Sequence, residues 1–259
     1  QVHRLSEKVY LFLDEIQYIP FWQDILKRYY DLNKNIKFII SGSSSLYLSE
    51  KAKESLAGRI FTKYLPPLSF SEYKEIFKNS DIEEFLNFGQ FPEFSAIKDR
   101  EKKIEYLKDG VVGKVLDIDI VKTYKIRHSL DFERLFWTLL PNTGQIISST
   151  QLMTDLSLKK ATFFKYLTIL EKSLLVNKVL NLSGSFRSEK RLLRKIYPAS
   201  SNFLALTPAP VSIGFKAETY IASLLKEKYS EIFLHRRRDK EIDFLLPEIK
   251  TAIEVKYRE

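Results

Sequence analysis

The chain has 259 residues, 44% of them hydrophobic and 29% charged, and a net charge of +9. That allows two or three small domains with sizeable cores and excludes a disordered polymer. Cysteine is absent, which excludes disulfides and thiolate zinc sites and fits a reducing cytosol. No apolar run approaches the roughly 20 residues of a membrane span, and no signal peptide opens the chain. The first residue is Gln1 rather than Met, close to a strand, as expected of a piece of a longer protein. Charge is spread unevenly: residues 131–200 carry 11 basic and 5 acidic groups, whereas residues 1–90 carry 12 of each. Such a surplus is expected of a segment that touches phosphate; the plainer reading is a basic surface kept for solubility.

The predicted elements begin with Val9 to Leu13, five apolar residues running into Asp14-Glu15-Ile16-Gln17. A short apolar run of this kind suits a strand buried on both faces of a parallel sheet. In open α/β sheets, ligand chemistry gathers at the carboxyl ends of strands. There one carboxylate can hold Mg²⁺ and its neighbour can polarise an attacking water. A helix is predicted over 20–32, with Ile25, Leu26 and Tyr29 at helical spacing, then a second apolar strand over 36–40 ending in Ser41-Gly42-Ser43-Ser44-Ser45. Ser55-Leu56-Ala57-Gly58-Arg59 leads to an expected strand over 60–65, then Pro66-Pro67 and a helix opened by Ser69 or Ser71.

The segment over 9–17 resembles the Walker B element of AAA+-type ATPases. The ordered set that follows is similar to the second half of the ATPase core in an archaeal and bacterial AAA-like family with a C-terminal nuclease-like domain. The resemblance implies Asp14 on Mg²⁺, Glu15 on the water, Ser43 or Ser44 sensing the γ-phosphate of ATP, and Arg59 stabilising its charge. The plainer readings are a serine-rich turn that caps a helix and a surface arginine after a turn. The chain departs from the family in lacking G-x-x-x-x-G-K-[ST], whose amides cradle phosphate. The nearest stretch, Gly110-Val111-Val112-Gly113-Lys114-Val115, has the wrong spacing and no hydroxyl. In the family that loop lies upstream of Walker B, so this chain by itself is expected to bind ATP poorly.

Residues 74–130 read as a helical lid or linker, with a Gly-x-Phe-Pro-Glu element of the family at Gly89-Gln90-Phe91-Pro92-Glu93. Residues 116–124 alternate apolar residues with Asp and Lys in a way that fits either a helix or a strand. Over 131–199 the pattern is a helix capped by Asp131, a short extended piece at 146–148, a helix opened by Ser149 or Thr150, a turn, a helix over 159–171, and two strands joined by a basic turn. That is the pattern of a winged helix. Lys159, Lys160 and Lys165 would then face a DNA groove, Phe164, Leu167 and Leu170 the core, and Arg187, Lys190 and Arg191 the phosphates from the wing. A winged helix used for protein contacts is the plainer alternative.

Residues 200–259 show a helix from Gly214, then strands over 232–234, 241–246 and 252–256. Glu254 and Lys256 lie two apart on one strand and so share a face, with Asp243 reachable from the neighbouring strand. Glu218, Asp243, Glu254 and Lys256 resemble the PD-(D/E)xK restriction-endonuclease-like family. The resemblance implies carboxylates on Mg²⁺ and a lysine that orients water.

The expected fold is α/β: a partial P-loop NTPase-type parallel sheet (1–73), a helical linker (74–130), a winged helix (131–199) and a partial nuclease-like domain (200–259). The leading function is an ATP- and Mg-dependent AAA+-like ATPase that associates with DNA in the cytoplasm as a homo-oligomer, with no membrane. The alternatives are a Mg-dependent nuclease and a non-catalytic DNA- or protein-binding adaptor.

Overall fold

The computed structural model describes residues 8–42, 55–120, 124, 126, 128–182, 194–237 and 240–258. They form an α/β protein of two compact units, 1–65 and 66–259. In the first unit β1 (Val9–Leu13) and β2 (Ile36–Ile40) pair in parallel, Leu13 level with Ile40, with α1 (Trp22–Leu32) as the crossover. Ile16, Trp22, Leu26 and Leu56 make the core of this unit.

Three expectations change here. β1 is not buried on both faces: Leu13 packs on the Ile16, Trp22 and Leu26 cluster, but Phe12 is 75% and Tyr10 50% exposed. The helix starts at Trp22, because Phe21 takes a left-handed backbone and points outward. Residues 60–65 form no strand: Phe61 and Leu65 are exposed, and apolar residues alone do not make a strand without a ladder partner.

The second unit opens with α2 (Phe70–Phe77), whose cap is Ser69 in a reciprocal pair with Glu72. Next come α3 (Ile82–Phe88), α4 (Arg100–Glu105) and a π-helical segment, Tyr106–Ile120. The π-segment buries Leu107, Val112, Leu116 and Ile120. Their spacing is five, four and four, wider than the 3.6-residue turn of an α-helix. Residues 116–120, which the sequence allows as either helix or strand, lie in this segment.

The order then runs α5 (Ser129–Leu139), β3 (Ile146–Ile147), α6 (Ser149–Asp155), α7 (Lys160–Lys172), β4 (Val176–Asn181) and β5 (Arg194–Pro198). Asp131 lies in the first turn of α5 rather than at its cap, and Ser148, not Ser149, caps α6 by accepting from Gln151 N. Within α7 the fully buried ring is Phe163, while Phe164 is half-buried beside Leu167 and Leu170.

The chain closes with α8 (Ile213–Lys228), β6 (Phe233–Arg237), β7 (Lys240–Leu246) and β8 (Thr251–Ile253). One sheet, ordered β3-β5-β4-β6-β7-β8, joins the strands of 131–199 to those of 200–259. Only β4 and β6 in it run parallel. β8 stops at Ile253, so Glu254 and Lys256 lie beyond the strand expected to carry them.

A buried polar knot fastens α3 to the turn Ser201–Leu206. Gln90 N donates to Asn202 Oδ1 at 2.8 Å, and Asn202 Nδ2 donates to the carbonyls of Phe85 and Leu86. Ser200 Oγ and Ser201 Oγ both donate to Gln90 Oε1, and Ser201 Oγ also reaches Leu86 O. The residue between Gly89 and Phe91 is thus a structural anchor. Gly89 itself is required: a Cβ there would stand 2.7 Å from the Tyr73 ring and 2.6 Å from Phe85 Cα.

Candidate functional site

The parallel register of β1 and β2 brings Asp14 and Ser41 side by side, one residue past each strand's carboxyl end. Ser41 Oγ donates to Asp14 Oδ1, which also accepts from Glu15 N at 3.0 Å. Asp14 is exposed and Glu15 half-exposed, the latter in a left-handed backbone at φ 50° and accepting from Gln17 Nε2. A non-glycine residue in that region stores local strain, which turns the chain sharply at the strand tip. Arg59 is held elsewhere: its Nε and Nη2 grip both oxygens of Asp31 at 3.0 and 3.2 Å, and Nη1 donates to Ala57 O. Hydrogen bonding from that guanidinium lowers the Asp31 carboxyl below its usual range. Ser43 and Ser44 lie outside the described residues.

A second cluster sits under α8. Lys195 on β5 is buried, and its Nζ bonds Glu218 Oε1 of α8 at 2.9 Å and Asp243 Oδ1 of β7 at 3.2 Å, with Glu241 of β7 as third partner. Tyr197 OH donates to the same Glu218 oxygen at 2.6 Å. Lys195 and Tyr197 lie two apart on β5, and Glu241 and Asp243 two apart on β7, so each pair shares a face. β4 and β6 separate these strands in the sheet, so the cluster joins side chains from strands that are not neighbours.

Burial opposes the Lys195 charge, but its hydrogen bonds to Glu241 and Glu218 outweigh that and raise its pKa above the ordinary lysine value. Burial, with Asp243's charge adding, pushes the Glu218 carboxyl up against the hydrogen bonds from Tyr197 and Lys195. Burial and the neighbouring carboxylates push the Tyr197 phenol up as well.

Of the expected nuclease set, then, Glu218 and Asp243 meet, but around Lys195. Asp243 Oδ2 accepts from Val255 N at 3.0 Å, which keeps the chain past β8 alongside β7. Lys256 is solvent-exposed and stands 4.0 Å from Glu254, also exposed. Among the described residues no group of three or more His, Asp or Glu side chains is placed to hold a metal ion.

Lys159, Lys160 and Lys165 are all exposed at and along α7. Arg187, Lys190 and Arg191 lie outside the described residues. Sequence reasoning passed over Ser41, Lys195, Tyr197 and Glu241. Register arithmetic was a usable signal for Ser41, the first residue beyond the second strand. Lys195 gave none, because a lysine in a strand ordinarily points to solvent.

Residues 1–74 match the family model of an AAA domain, and residues 79–201 match a domain of unknown function, DUF8612. The chain is 27% identical over 273 residues to the uncharacterized protein MJ1544 of Methanocaldococcus jannaschii, covering 95% of this chain and 60% of that one. It is 29% identical over 228 residues to MJ1637 of the same organism, covering 75% and 47%. An uncharacterized protein of Haemophilus influenzae is 27% identical over 187 residues, covering 67% and 46%. The chain therefore spans about half the length of the curated relatives it matches. No solved structure matches it. The N-terminal part is thus AAA-like, and no helix among the described residues is long and apolar enough to cross a membrane.

Proposed function

We propose that the chain is part of an ATP-binding and ATP-hydrolysing AAA-type protein that associates with DNA. The observation that carries this is Asp14 at the carboxyl tip of a parallel strand, bonded to Ser41 from the tip of the next. An exposed carboxylate beside a hydroxyl offers oxygen donors of the kind Mg²⁺ takes, so the residues fit that ion. Bound there, Mg²⁺ would neutralise charge on the phosphates. Asp14 would hold it, Ser41 would orient Asp14, and Glu15 would accept a hydrogen bond from the attacking water. Arg59, already engaged by Asp31, acts on phosphate in this reading only if that pair opens. The phosphate-cradling loop is not among these 259 residues, so the test uses the full-length protein.

Glu15→Gln should keep nucleotide binding and slow hydrolysis by about 10²-fold or more, the usual contribution of a positioned acid or base. Asp14→Ala should lose Mg²⁺-dependent binding. Unchanged hydrolysis in both variants would end the ATPase reading.

The DNA part rests on the helix, strand, two helices and antiparallel strand pair of 129–198, read as a winged helix, and on the three exposed lysines of its last helix. Lys160→Glu with Lys165→Glu should weaken duplex binding and flatten its log–log salt dependence by about two phosphate contacts, about 0.9 in slope for each. An identical slope would reassign this face to protein contacts. The nuclease alternative has less support, because Lys195 occupies the centre of the acidic cluster and Lys256 stands in solvent.

A further inference from the structure

The turn after β1 holds a neutral polar side chain against the Glu15 carboxylate. Gln17 lies in a single turn of 3₁₀ helix, Ile16–Tyr18, directly after Glu15. Its Nε2 donates to Glu15 Oε2, whereas its Oε1 is buried and meets no donor among the described residues. An ionised carboxylate only accepts, so the amide has to turn its nitrogen toward Glu15. A buried acceptor without a donor costs stability. A methionine would fill nearly the same space without that cost, so packing alone does not call for glutamine here. What the amide nitrogen does for Glu15 explains its presence.

The turn is fastened at its base. Ile16 is buried in the core of the first unit, and its N–H donates to Ser41 O at 3.3 Å, at the tip of β2. Tyr18 N donates to Glu15 O at 3.2 Å and Ile19 N to Ile16 O at 3.0 Å. The Glu15 backbone is thereby fixed, but a glutamate side chain keeps several rotatable bonds, and the Gln17 amide removes freedom from its far end. Asp14 and Glu15 are thus oriented by separate neutral donors, the Ser41 hydroxyl and the Gln17 amide. Phosphoryl transfer asks little covalent chemistry of a protein and depends on positioning. A carboxylate that must meet one water at one angle gains from being held in place beforehand.

We propose that Gln17 is a positioning residue for Glu15: its amide holds the carboxylate in the orientation that receives the attacking water. This rests on the ATPase reading of the site.

The kinetic test uses the full-length protein. Gln17→Met removes the donor and the unpaired oxygen together, and should lower kcat about tenfold with KM unchanged. The unchanged KM shows that the site still folds. Gln17→Asn, a shorter amide, should retain part of the rate. In a Glu15→Gln background Gln17→Met should cost nothing further, because it acts through that carboxylate. An unchanged kcat in Gln17→Met, or the same loss in both backgrounds, overturns the proposal while the ATPase reading stands. If Glu15→Gln alone leaves hydrolysis unchanged, the water-activating role of Glu15 falls first and the proposal falls with it. A second readout needs no nucleotide. In the 259-residue chain labelled with ¹⁵N-glutamine, the Gln17 side-chain amide should exchange with water about tenfold more slowly than in Glu15→Ala, as a hydrogen bond to a charged group implies. Equal exchange rates would mean that the bond does not form, and would also overturn the proposal.

Discussion

Lys195 has 4% of its side chain exposed and faces three carboxylates, Glu218, Glu241 and Asp243. Removing one partner of a buried ion cluster leaves uncompensated charge, which costs more than the intact cluster contributes. Lys195→Met should therefore lower the unfolding free energy of the 66–259 unit by about 3–5 kcal/mol, measured by urea denaturation. Adding Glu218→Gln to that variant should restore part of the loss, because the surplus negative charge falls. If Lys195→Met is as stable as the parent, the cluster is incidental. Ser41 is the matching case in the first unit, although its role is orientation of a single carboxylate rather than charge balance.

At the scale of elements, the knot of Gln90, Ser200, Ser201 and Asn202 decides how α3 sits on the sheet unit. Asn202 closes three hydrogen bonds, all to backbone atoms near α3. Asn202→Ala would leave the buried Gln90 N–H without its acceptor, a loss of about 1–3 kcal/mol in denaturant unfolding. The π-segment carries the same lesson about legibility. Its apolar residues were visible in the sequence, but their four-to-five spacing belongs to a turn wider than either standard period, so pattern reading found only ambiguity. The segment 60–65 failed in the opposite way. Its composition reads as a strand, and no neighbour among the described residues supplies a ladder.

At the scale of the whole molecule, the Lys195 cluster sets an alkaline limit. Lys195 has a folded pKa above its unfolded value, so its contribution is complete below about pH 10.4 and is lost as pH rises through the folded value. Tyr197 acts in the same direction: its neutral form is favoured when folded, so stability falls once the unfolded phenol begins to ionise near about pH 10. The urea midpoint of the 66–259 unit should therefore hold from pH 8 to 9 and fall above pH 10. A flat profile to pH 12 would contradict the cluster.

The sequence by itself determined the α/β class, the strand that ends in Asp14-Glu15, the helix order of 129–172 and the basic surplus there. These rest on local periodicity and composition, which the chain carries residue by residue. Only the tertiary structure decided that Ser41 stands beside Asp14, that Arg59 turns to Asp31, and that one sheet runs from β3 to β8. It also placed Lys195, which the chain keeps 23 residues from Glu218 and 48 from Asp243, at the meeting point of those acids. Such pairings follow from register and strand order, which depend on contacts distant in the chain and leave no periodic mark on it.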